Sequence, residues 1–252
     1  MKTDRGVTGY IHEIFGSFQG EGPYVGERHV FVRFCRCGLG CRYCDTPDSR
    51  IDQQVAYIED GPGLTSLVVP NPLSVADVLK AVHAQEVFEG YNSAVSITGG
   101  EPLEQPDFLA ALLVGLGGRF RILLETNGTL PDELSMVSRL VDVVSMDIKL
   151  PSVTGKGPLW DRHRAFIAEC RGVELVVKVV VGPDTTLEEI GIAAEMAVDH
   201  SPSAVFVIQP LTSGDQLDDG VVKRLDMLYN EAARRLKRVR VIPQVHKLLK
   251  VK

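Results

Sequence analysis

The sequence predicts an α/β protein whose strand–helix units form a partial (βα)6-type, TIM-like barrel in a single domain. Apolar strand-like runs alternate regularly with amphipathic helical windows, and polar groups recur directly after the strands. A chain of 252 residues with 44% hydrophobic content can also bury one large core. A doubly wound open sheet is the alternative. Both folds gather the C-terminal strand ends on one face, where we expect the functional residues.

The strand candidates are short apolar runs with β-branched residues. They span residues 29–34, 93–98, 120–126, 141–148, 174–181, 204–210 and 238–243. Helical windows lie between them, at 74–88, 106–116, 131–139, 158–170, 186–199 and 219–236. Ser74 is a helix start signal for the first window.

One connection departs from this regularity. Residues 48–73 are rich in turn formers and lack a helical period, although a regular barrel would place its first helix there. Loops of this length are usually functional or mobile. We therefore expect one domain over 1–252, with a cysteine loop at 35–47 and an elaborated loop at 48–73.

Charge and hydropathy exclude several classes of function. A net charge of −6 argues against general nucleic-acid binding. No apolar run is long enough to span a membrane and the N-terminus lacks a signal-peptide core, so we expect a cytoplasmic protein without a membrane partner. The segment after Glu231 carries eight Lys or Arg and no acid. It is either a solvated helix with a basic end or a surface that faces an anion.

Four of the five cysteines fall within residues 35–44. Cys37, Cys41 and Cys44 have the spacing C-x3-C-x2-C, and Cys35 lies outside it. Three thiolates can hold three corners of a [4Fe–4S] cluster and leave one iron open. A zinc site using all four cysteines is the alternative, but such sites usually draw on two separated pairs. Cys170, in a helical window, is expected to be a small buried hydrophobe.

These motifs resemble a known family. CGLGCRYCDT resembles the cysteine signature of radical S-adenosylmethionine (SAM) enzymes, and TGGEP at 98–102 resembles their motif that contacts the SAM amino group. SFQGEGPYVGERHVFVRF and VRVIPQVHKLL are similar to segments of the 7-carboxy-7-deazaguanine synthase family, and the similarity runs from about residue 10 to the end. The pair Cys35-Arg36 departs from that family, which usually has a small or apolar residue and Gly there.

The resemblance implies a radical SAM core and its chemistry. A reduced [4Fe–4S] cluster would cleave SAM, and a 5′-deoxyadenosyl radical would take hydrogen from 6-carboxy-5,6,7,8-tetrahydropterin. Ring contraction with loss of ammonia would give 7-carboxy-7-deazaguanine, in 7-deazapurine (queuosine-type) biosynthesis. Mg²⁺ and a homodimer are also implied. Another small radical SAM enzyme, such as a glycyl-radical-activating enzyme, and a noncatalytic zinc-binding module remain as alternatives.

The expected redox partner is an acidic flavodoxin or ferredoxin. Although the chain is acidic overall, four arginines flank the cysteine loop and could form a basic rim that steers this donor. They are Arg28, Arg36, Arg42 and Arg50.

The resemblance also implies roles for individual residues. Substrate contacts are expected from Phe18, Gln19, Gly20, Glu21, Arg33, Thr98 and His246. Contacts to SAM are expected from Arg42, Tyr43, Gly100, Glu101, Asp147, Lys149 and Gln209. The metal ligands are expected to be Cys37, Cys41 and Cys44 for iron and Thr46 for Mg²⁺, with Asp45 as the alternative Mg²⁺ ligand.

Several of these residues have structural alternatives. Arg33 lies on a strand, where it either makes an ion pair or binds the substrate carboxylate. Asp147 and Lys149 could form a structural ion pair on one strand face. Lys178, in an apolar strand, is expected at an exposed edge. Thr46, before a proline, could simply close a turn with its side chain.

Overall fold

A computed structural model describes residues 6–200, 202, 204–213 and 216–252. The strands in these ranges are β1 (Thr8–Gly9), β2 (Ile11–Phe18), β3 (Arg28–Phe34), β4 (Val55–Glu59), β5 (Ser66–Pro70), β6 (Leu73–Ser74), β7 (Ala94–Gly99), β8 (Ile122–Thr126), β9 (Val143–Ile148), β10 (Glu174–Val181), β11 (Val205–Pro210), β12 (Thr212–Ser213), β13 (Gln216–Leu217) and β14 (Val239–Val241). The α-helices are α1 (Val75–Ala84), α2 (Pro106–Leu116), α3 (Pro131–Val137), α4 (Pro151–Thr154), α5 (Trp160–Glu169), α6 (Leu187–His200), α7 (Asp219–Val222), α8 (Leu225–Ala233) and α9 (Val245–Leu249).

The main sheet has the strand order β14-β11-β10-β9-β8-β7-β3-β2-β4-β5. All pairings from β3 to β14 are parallel, and strands β7 to β11 lie in sequential order. A doubly wound sheet would reverse its strand order partway across. The sequential order therefore confirms the partial barrel, left open between β14 and β5 in the part of the chain that the structure describes.

The alternation of side chains along the strands creates two apolar layers. Residues on the outer face, such as Leu124 and Val177, pack in the large core against the helices. Residues on the inner face form a smaller apolar floor; they are Leu123, Val143, Val176, Val205 and Val207. Because successive inward positions are two residues apart, the same faces carry polar groups farther along each strand. These groups are Glu125, Asp147, Lys178 and Gln209.

Helix α1 begins at the predicted signal. The Ser74 hydroxyl accepts a hydrogen bond from the Asp77 amide, and the Asp77 carboxylate accepts one from the Ser74 amide. This reciprocal pair is a capping box. Cys170 is fully buried in the main core, as predicted.

The structure contains strands that the sequence patterns did not reveal. Strand β2 (Ile11–Phe18) pairs antiparallel with β3, so Gln19 to Glu21 follow a strand rather than merely preceding one. Within the predicted loop 48–73, β4 and β5 form an antiparallel hairpin that extends the sheet beyond β2. Their side chains are half-exposed, so they lack the continuous apolar run that marks a buried strand.

The helical prediction at 219–236 also needs correction. That window contains two helices, α7 and α8, which are separated at Lys223 and Arg224. No helix of the described residues is long and apolar enough to cross a membrane.

Candidate active site

A cavity of about 430 Å³ opens at the C-terminal ends of the parallel strands. Its polar wall is built from the inward residues above the apolar floor. Strand β8 contributes Glu125, β9 contributes Asp147, β10 contributes Lys178 and β11 contributes Gln209. The cavity therefore lies at the C-terminal strand ends, where the sequence predicted the functional residues.

The cysteine loop forms one side of this cavity. Cys37, Cys41 and Cys44 line it, whereas Cys35 is fully buried and does not. Gln105 donates a hydrogen bond to the Cys35 carbonyl at 3.1 Å, and the Cys35 amide donates to the Tyr10 carbonyl at 2.9 Å. Burial raises the pKa of the Cys35 thiol. Cys35 thus belongs to the wall behind the loop.

Gly99 and Gly100 bring backbone to the cavity. A Cβ on Gly100 would lie 2.0 Å from the Arg36 carbonyl oxygen and 2.7 Å from that of Ser49, so only glycine fits against the cysteine loop. Gly99 has φ +126°, which a side chain would strain. The motif that begins at Thr98 therefore lets the end of β7 pack directly against the loop.

Glu101 lies behind the cavity wall rather than in it. Its carboxylate is fully buried and accepts hydrogen bonds from the Asn127 amide (2.7 Å), the Thr126 hydroxyl (2.9 Å) and the Leu103 amide (3.2 Å). Burial, the largest effect, raises its pKa to about 7 despite these donors. A direct contact between Glu101 and a ligand is thus not supported by this arrangement.

A chain of buried charges crosses the cavity wall. Lys149 Nζ is 2.9 Å from Asp147 Oδ2 and donates to the Tyr43 hydroxyl at 3.2 Å. Lys178 Nζ is 3.5 Å from the same Asp147 oxygen and makes a short ion pair with Glu21. Asp147 and Lys149 therefore form the ion pair considered from sequence, and both line the cavity.

The expectation for Lys178 was wrong. Strand β10 has parallel neighbours on both sides, so Lys178 is on an internal strand directly opposite Asp147. Burial would lower the pKa of Lys178, but the charges of Glu21 and Asp147 outweigh it and raise that pKa above its ordinary value. Burial would raise the pKa of Glu21, but Lys178 and a hydrogen bond from Gln244 lower it to about 2. Both groups are therefore charged near neutral pH.

A second polar group on the cavity wall is organised by Glu125. Gln19 Nε2 donates to one of its oxygens at 2.9 Å, and the Thr98 hydroxyl donates to the other at 2.8 Å. The Glu21 amide donates to Gln19 Oε1 at 3.0 Å, which fixes the orientation of the Gln19 amide. Gln19, Glu21 and Thr98 were predicted from sequence, whereas Glu125 was not assigned a role. Its position near the C-terminal end of a predicted strand could have marked Glu125 as a site residue.

Arg33 makes an ion pair and also lines the cavity. Its Nε donates to Glu13 Oε1 at 2.9 Å, and Glu13 lies directly opposite on β2. Lys252 Nζ approaches the other Glu13 oxygen at 3.0 Å. Sequence reasoning missed Glu13 because it overlooked β2.

The C-terminal segment 243–252 crosses the cavity mouth. The Val245 amide donates to the Gly20 carbonyl at 2.8 Å, and a Cβ on Gly20 would lie 2.4 Å from His246 Cβ. Gln244 donates to Glu21 (2.8 Å) and to Asp45 (3.0 Å). Gly20 and His246 therefore lie at the cavity as predicted, and part of the basic tail faces it.

Thr46 lines the cavity without closing a turn by its side chain. The turn after it is closed by Ser49, whose hydroxyl and amide donate to the Thr46 carbonyl at 2.8 and 3.1 Å. The Thr46 side chain makes no capping hydrogen bond to the short helix that follows. The structural alternative considered from sequence is thus not what the structure shows.

His163 supports the site from behind. Its Nε2 accepts a hydrogen bond from the Lys149 amide at 3.1 Å, and its Nδ1 lies 2.9 Å from the Gly128 carbonyl. Only the neutral tautomer with the proton on Nδ1 satisfies both contacts. Burial lowers the pKa of His163 to about 4, which keeps it neutral.

Of the predicted site residues, two do not line the cavity: Glu101 and Arg42. Arg42 is exposed, and its guanidinium packs over Gly155 on the outer side of the cysteine loop. The others line the cavity; they are Phe18, Gln19, Gly20, Glu21, Arg33, Cys37, Cys41, Tyr43, Cys44, Thr46, Thr98, Gly100, Asp147, Lys149, Gln209 and His246.

Comparisons with known proteins agree with this architecture. Residues 31–197 match the model of the radical SAM superfamily. The chain is 39% identical over 242 residues to a 7-carboxy-7-deazaguanine synthase of Geobacter sulfurreducens, covering 95% of this chain and 96% of the relative. It is 39% identical over 245 residues to a protein of the same name from Methanopyrus kandleri, covering 95% and 92%. The crystal structure of QueE from Escherichia coli superposes with a TM-score of 0.57 at 21% identity, covering 96% of both chains, which shows the shared fold.

The position of the cysteines predicts which of them hold iron. Separate replacement of Cys37, Cys41 and Cys44 by Ala should abolish the cluster because each removes a ligand, whereas Cys35→Ala should retain it. Iron and sulfide content per chain and the visible absorbance of anaerobically reconstituted protein measure this. Retention of iron in Cys37→Ala, or its loss from a folded Cys35→Ala protein, would contradict the assignment.

Because His163 is buried in its neutral form, we expect the stability of the folded protein to depend on pH. The His163 pKa of about 4 in the folded protein is below its ordinary value of 6.5, so the contribution of His163 to the free energy of unfolding is complete above about pH 6.5 and is lost as pH falls towards 4. We expect the difference in unfolding free energy between the native chain and His163→Leu to shrink by about 3 kcal/mol between pH 7 and pH 4. Urea unfolding of the metal-free proteins, followed by circular dichroism, gives this difference. A constant difference over that range would show that His163 does not titrate as the structure requires.

Proposed function

The chain belongs to the 7-carboxy-7-deazaguanine synthase family of the radical SAM superfamily, and we propose that it converts 6-carboxy-5,6,7,8-tetrahydropterin to 7-carboxy-7-deazaguanine with loss of ammonia. The observation that carries the proposal is that the three cysteines share one cavity with the Gln19–Glu125 and Arg33 groups. The three cysteines could hold the cluster, the Glu125 carboxylate could accept hydrogen bonds from the N–H groups of a pterin ring, and Arg33 could bind a carboxylate.

The residues present fit a cluster with bound SAM. Three thiols face the cavity, which leaves an open iron position for a chelating ligand. Asp147 Oδ1 and Gln209 Oε1 are buried acceptors without a partner among the described residues. A buried acceptor without a donor is costly, and the amino and hydroxyl groups of SAM could supply donors. When bound, the cluster and SAM supply the radical that removes a hydrogen atom from the substrate.

The chain's own residues would bind and orient the substrate. Glu125 is held as a carboxylate acceptor by Gln19 and Thr98, which suits the N–H groups of an aminopyrimidinone ring. Arg33 presents a planar fork for the 6-carboxylate. The apolar floor and segment 243–252 limit access of water to a reactive intermediate.

The proposal is tested by anaerobic incubation of the reconstituted protein with SAM, reductant and the carboxytetrahydropterin. Mass detection should find 7-carboxy-7-deazaguanine, and Cys41→Ala should abolish it. SAM cleavage without this product would indicate another radical SAM reaction, such as activation of a glycyl-radical enzyme. A colourless, iron-free protein that holds zinc under the same conditions would indicate the noncatalytic module.

We place the electron-donor surface beside Arg42. Arg36 is ion-paired with Asp52 at 2.7 Å, so its charge is largely compensated. Arg42 instead lies over Gly155, next to exposed Lys156 and adjacent to Cys41 in the chain. With Arg50, which is exposed beside Gly40 of the cysteine loop, these two cations form the basic rim that would steer an acidic flavodoxin or ferredoxin.

Reversal of these charges should affect only the protein donor. Arg42→Glu and Lys156→Glu should each slow turnover with flavodoxin several-fold at low salt, because steering weakens with ionic strength, and should leave dithionite-driven turnover unchanged. Lys80→Glu, an exposed change on α1, is the matched control. Equal losses with both reductants would contradict a docking role.

Thr46 is the proposed protein ligand of Mg²⁺. Thr46 lines the cavity, and its hydroxyl makes no capping hydrogen bond in the turn that Ser49 closes. Mg²⁺ often takes one or two protein oxygens together with substrate oxygens and water. Asp45, the alternative ligand, already accepts a hydrogen bond from Gln244.

Replacement of the Thr46 hydroxyl tests this role. Thr46→Val keeps the shape of the side chain and should lose the dependence of turnover on Mg²⁺ concentration while keeping its iron content. Asp45→Asn should keep that dependence. An unchanged Mg²⁺ response in Thr46→Val would remove Thr46 from the site.

A further inference from the structure

Lys252 lies at a second cationic position in the active-site cavity. Its Nζ approaches Glu13 Oε2 at 3.0 Å, while Arg33 Nε donates to Glu13 Oε1 at 2.9 Å. One carboxylate thus holds both cations on the same wall. These three side chains carry two positive charges and one negative charge, so their charges sum to +1.

An aromatic ring lies under both cations. Phe15 is two residues beyond Glu13 on the same strand face, and its ring is almost completely buried. The Arg33 guanidinium carbon lies 5.8 Å from the centre of this ring and Lys252 Nζ lies 5.1 Å from it. The negative face of the ring favours both cations. Phe15 and Glu13 together therefore organise a compact cationic group.

Hydrogen-bonding capacity remains on both cations. Among the described residues, Arg33 donates a hydrogen bond to Glu13 through Nε, and its two terminal nitrogens donate none to the protein. Lys252 has three N–H donors and directs one to Glu13. The Arg33 side chain is 16% exposed and that of Lys252 is 53% exposed, so both can reach a ligand in the cavity. The remaining donors match the two oxygens of a carboxylate.

The backbone around Lys252 is anchored to the same strand. The Ser17 hydroxyl donates to the Lys252 carbonyl at 2.9 Å, and Ser17 lies two residues beyond Phe15 on β2. Burial would raise the pKa of Glu13, but Arg33 and Lys252 lower it, so Glu13 stays ionised between them. Both ends of Lys252 are therefore fixed relative to β2, and the ammonium group is positioned before a ligand arrives.

We propose that Lys252 and Arg33, held by Glu13 over Phe15, form a clamp that binds the carboxylate of the substrate and gives the site its preference for carboxylated pterins. This inference rests on the proposed function. The competing explanation is a simple surface ion pair that only holds segment 243–252 in place. In the clamp, the effect of Lys252 on binding depends on whether the ligand carries a carboxylate, whereas in the simple ion pair it does not.

The test compares ligands with and without the carboxylate. Binding of 6-carboxypterin and of unsubstituted pterin, both fluorescent, is titrated with the reconstituted enzyme in the presence of SAM. Lys252→Met should raise the Kd for 6-carboxypterin about tenfold, the size of one charge-assisted hydrogen bond, and leave the Kd for pterin unchanged. Lys252→Arg should restore much of the preference. Lys250→Met, an exposed lysine on the same segment, should match the native chain.

The outcomes separate the two levels of the proposal. Equal weakening of both ligands by Lys252→Met would overturn the clamp and favour a fastening role, and no weakening of either would also overturn it. If the native enzyme still prefers 6-carboxypterin to pterin in either of these cases, the proposed function stands and only the clamp is wrong. A native enzyme that binds neither pterin would overturn the proposed substrate class and the clamp with it.

Discussion

The ion pair between Glu21 and Lys178 is the interaction on which the rest of the site depends. It joins the loop after β2 to the middle of β10, on the far side of the partial barrel. Lys178 also faces Asp147, and Glu21 accepts hydrogen bonds from Gln209 and Gln244. Burying two charges costs several kcal/mol each, so such a pair is weak evidence for stability. Its position indicates that it organises the cavity instead.

Much of the fold followed from hydrophobic patterning because the buried parallel strands have continuous apolar runs. The hairpin of β4 and β5 has half-exposed strands, so its sequence resembled a loop. Strand β2 carries Glu13 and Ser17 on its cavity face, which interrupts the same signal. The patterns therefore failed for the partly exposed hairpin strands and for β2, whose apolar run is interrupted by polar residues.

The site was predictable where a motif or a strand end marked it, as for Cys37 and Asp147. Lys178 was misjudged because strand order, which decides whether a lysine lies at an edge, is a property of the whole sheet. Glu13 and Lys252 are separated by most of the chain, and their contact depends on where segment 243–252 returns. Such long-range pairs leave no local signal in one sequence.

The glycine motif after β7 acts through its backbone. Glu101 ties the ends of β7 and β8 together by accepting bonds from Thr126 and Asn127, and it lies outside the cavity. Gly99 and Gly100 both line the cavity, and neither has room for a side chain: a Cβ on Gly99 would meet the Phe34 backbone of β3, and a Cβ on Gly100 would meet the Arg36 carbonyl. The acid therefore fixes two strand ends, and the glycines expose peptide groups beside the three thiols. This division explains how a motif of small residues and one buried acid can shape a cofactor site without a direct carboxylate contact.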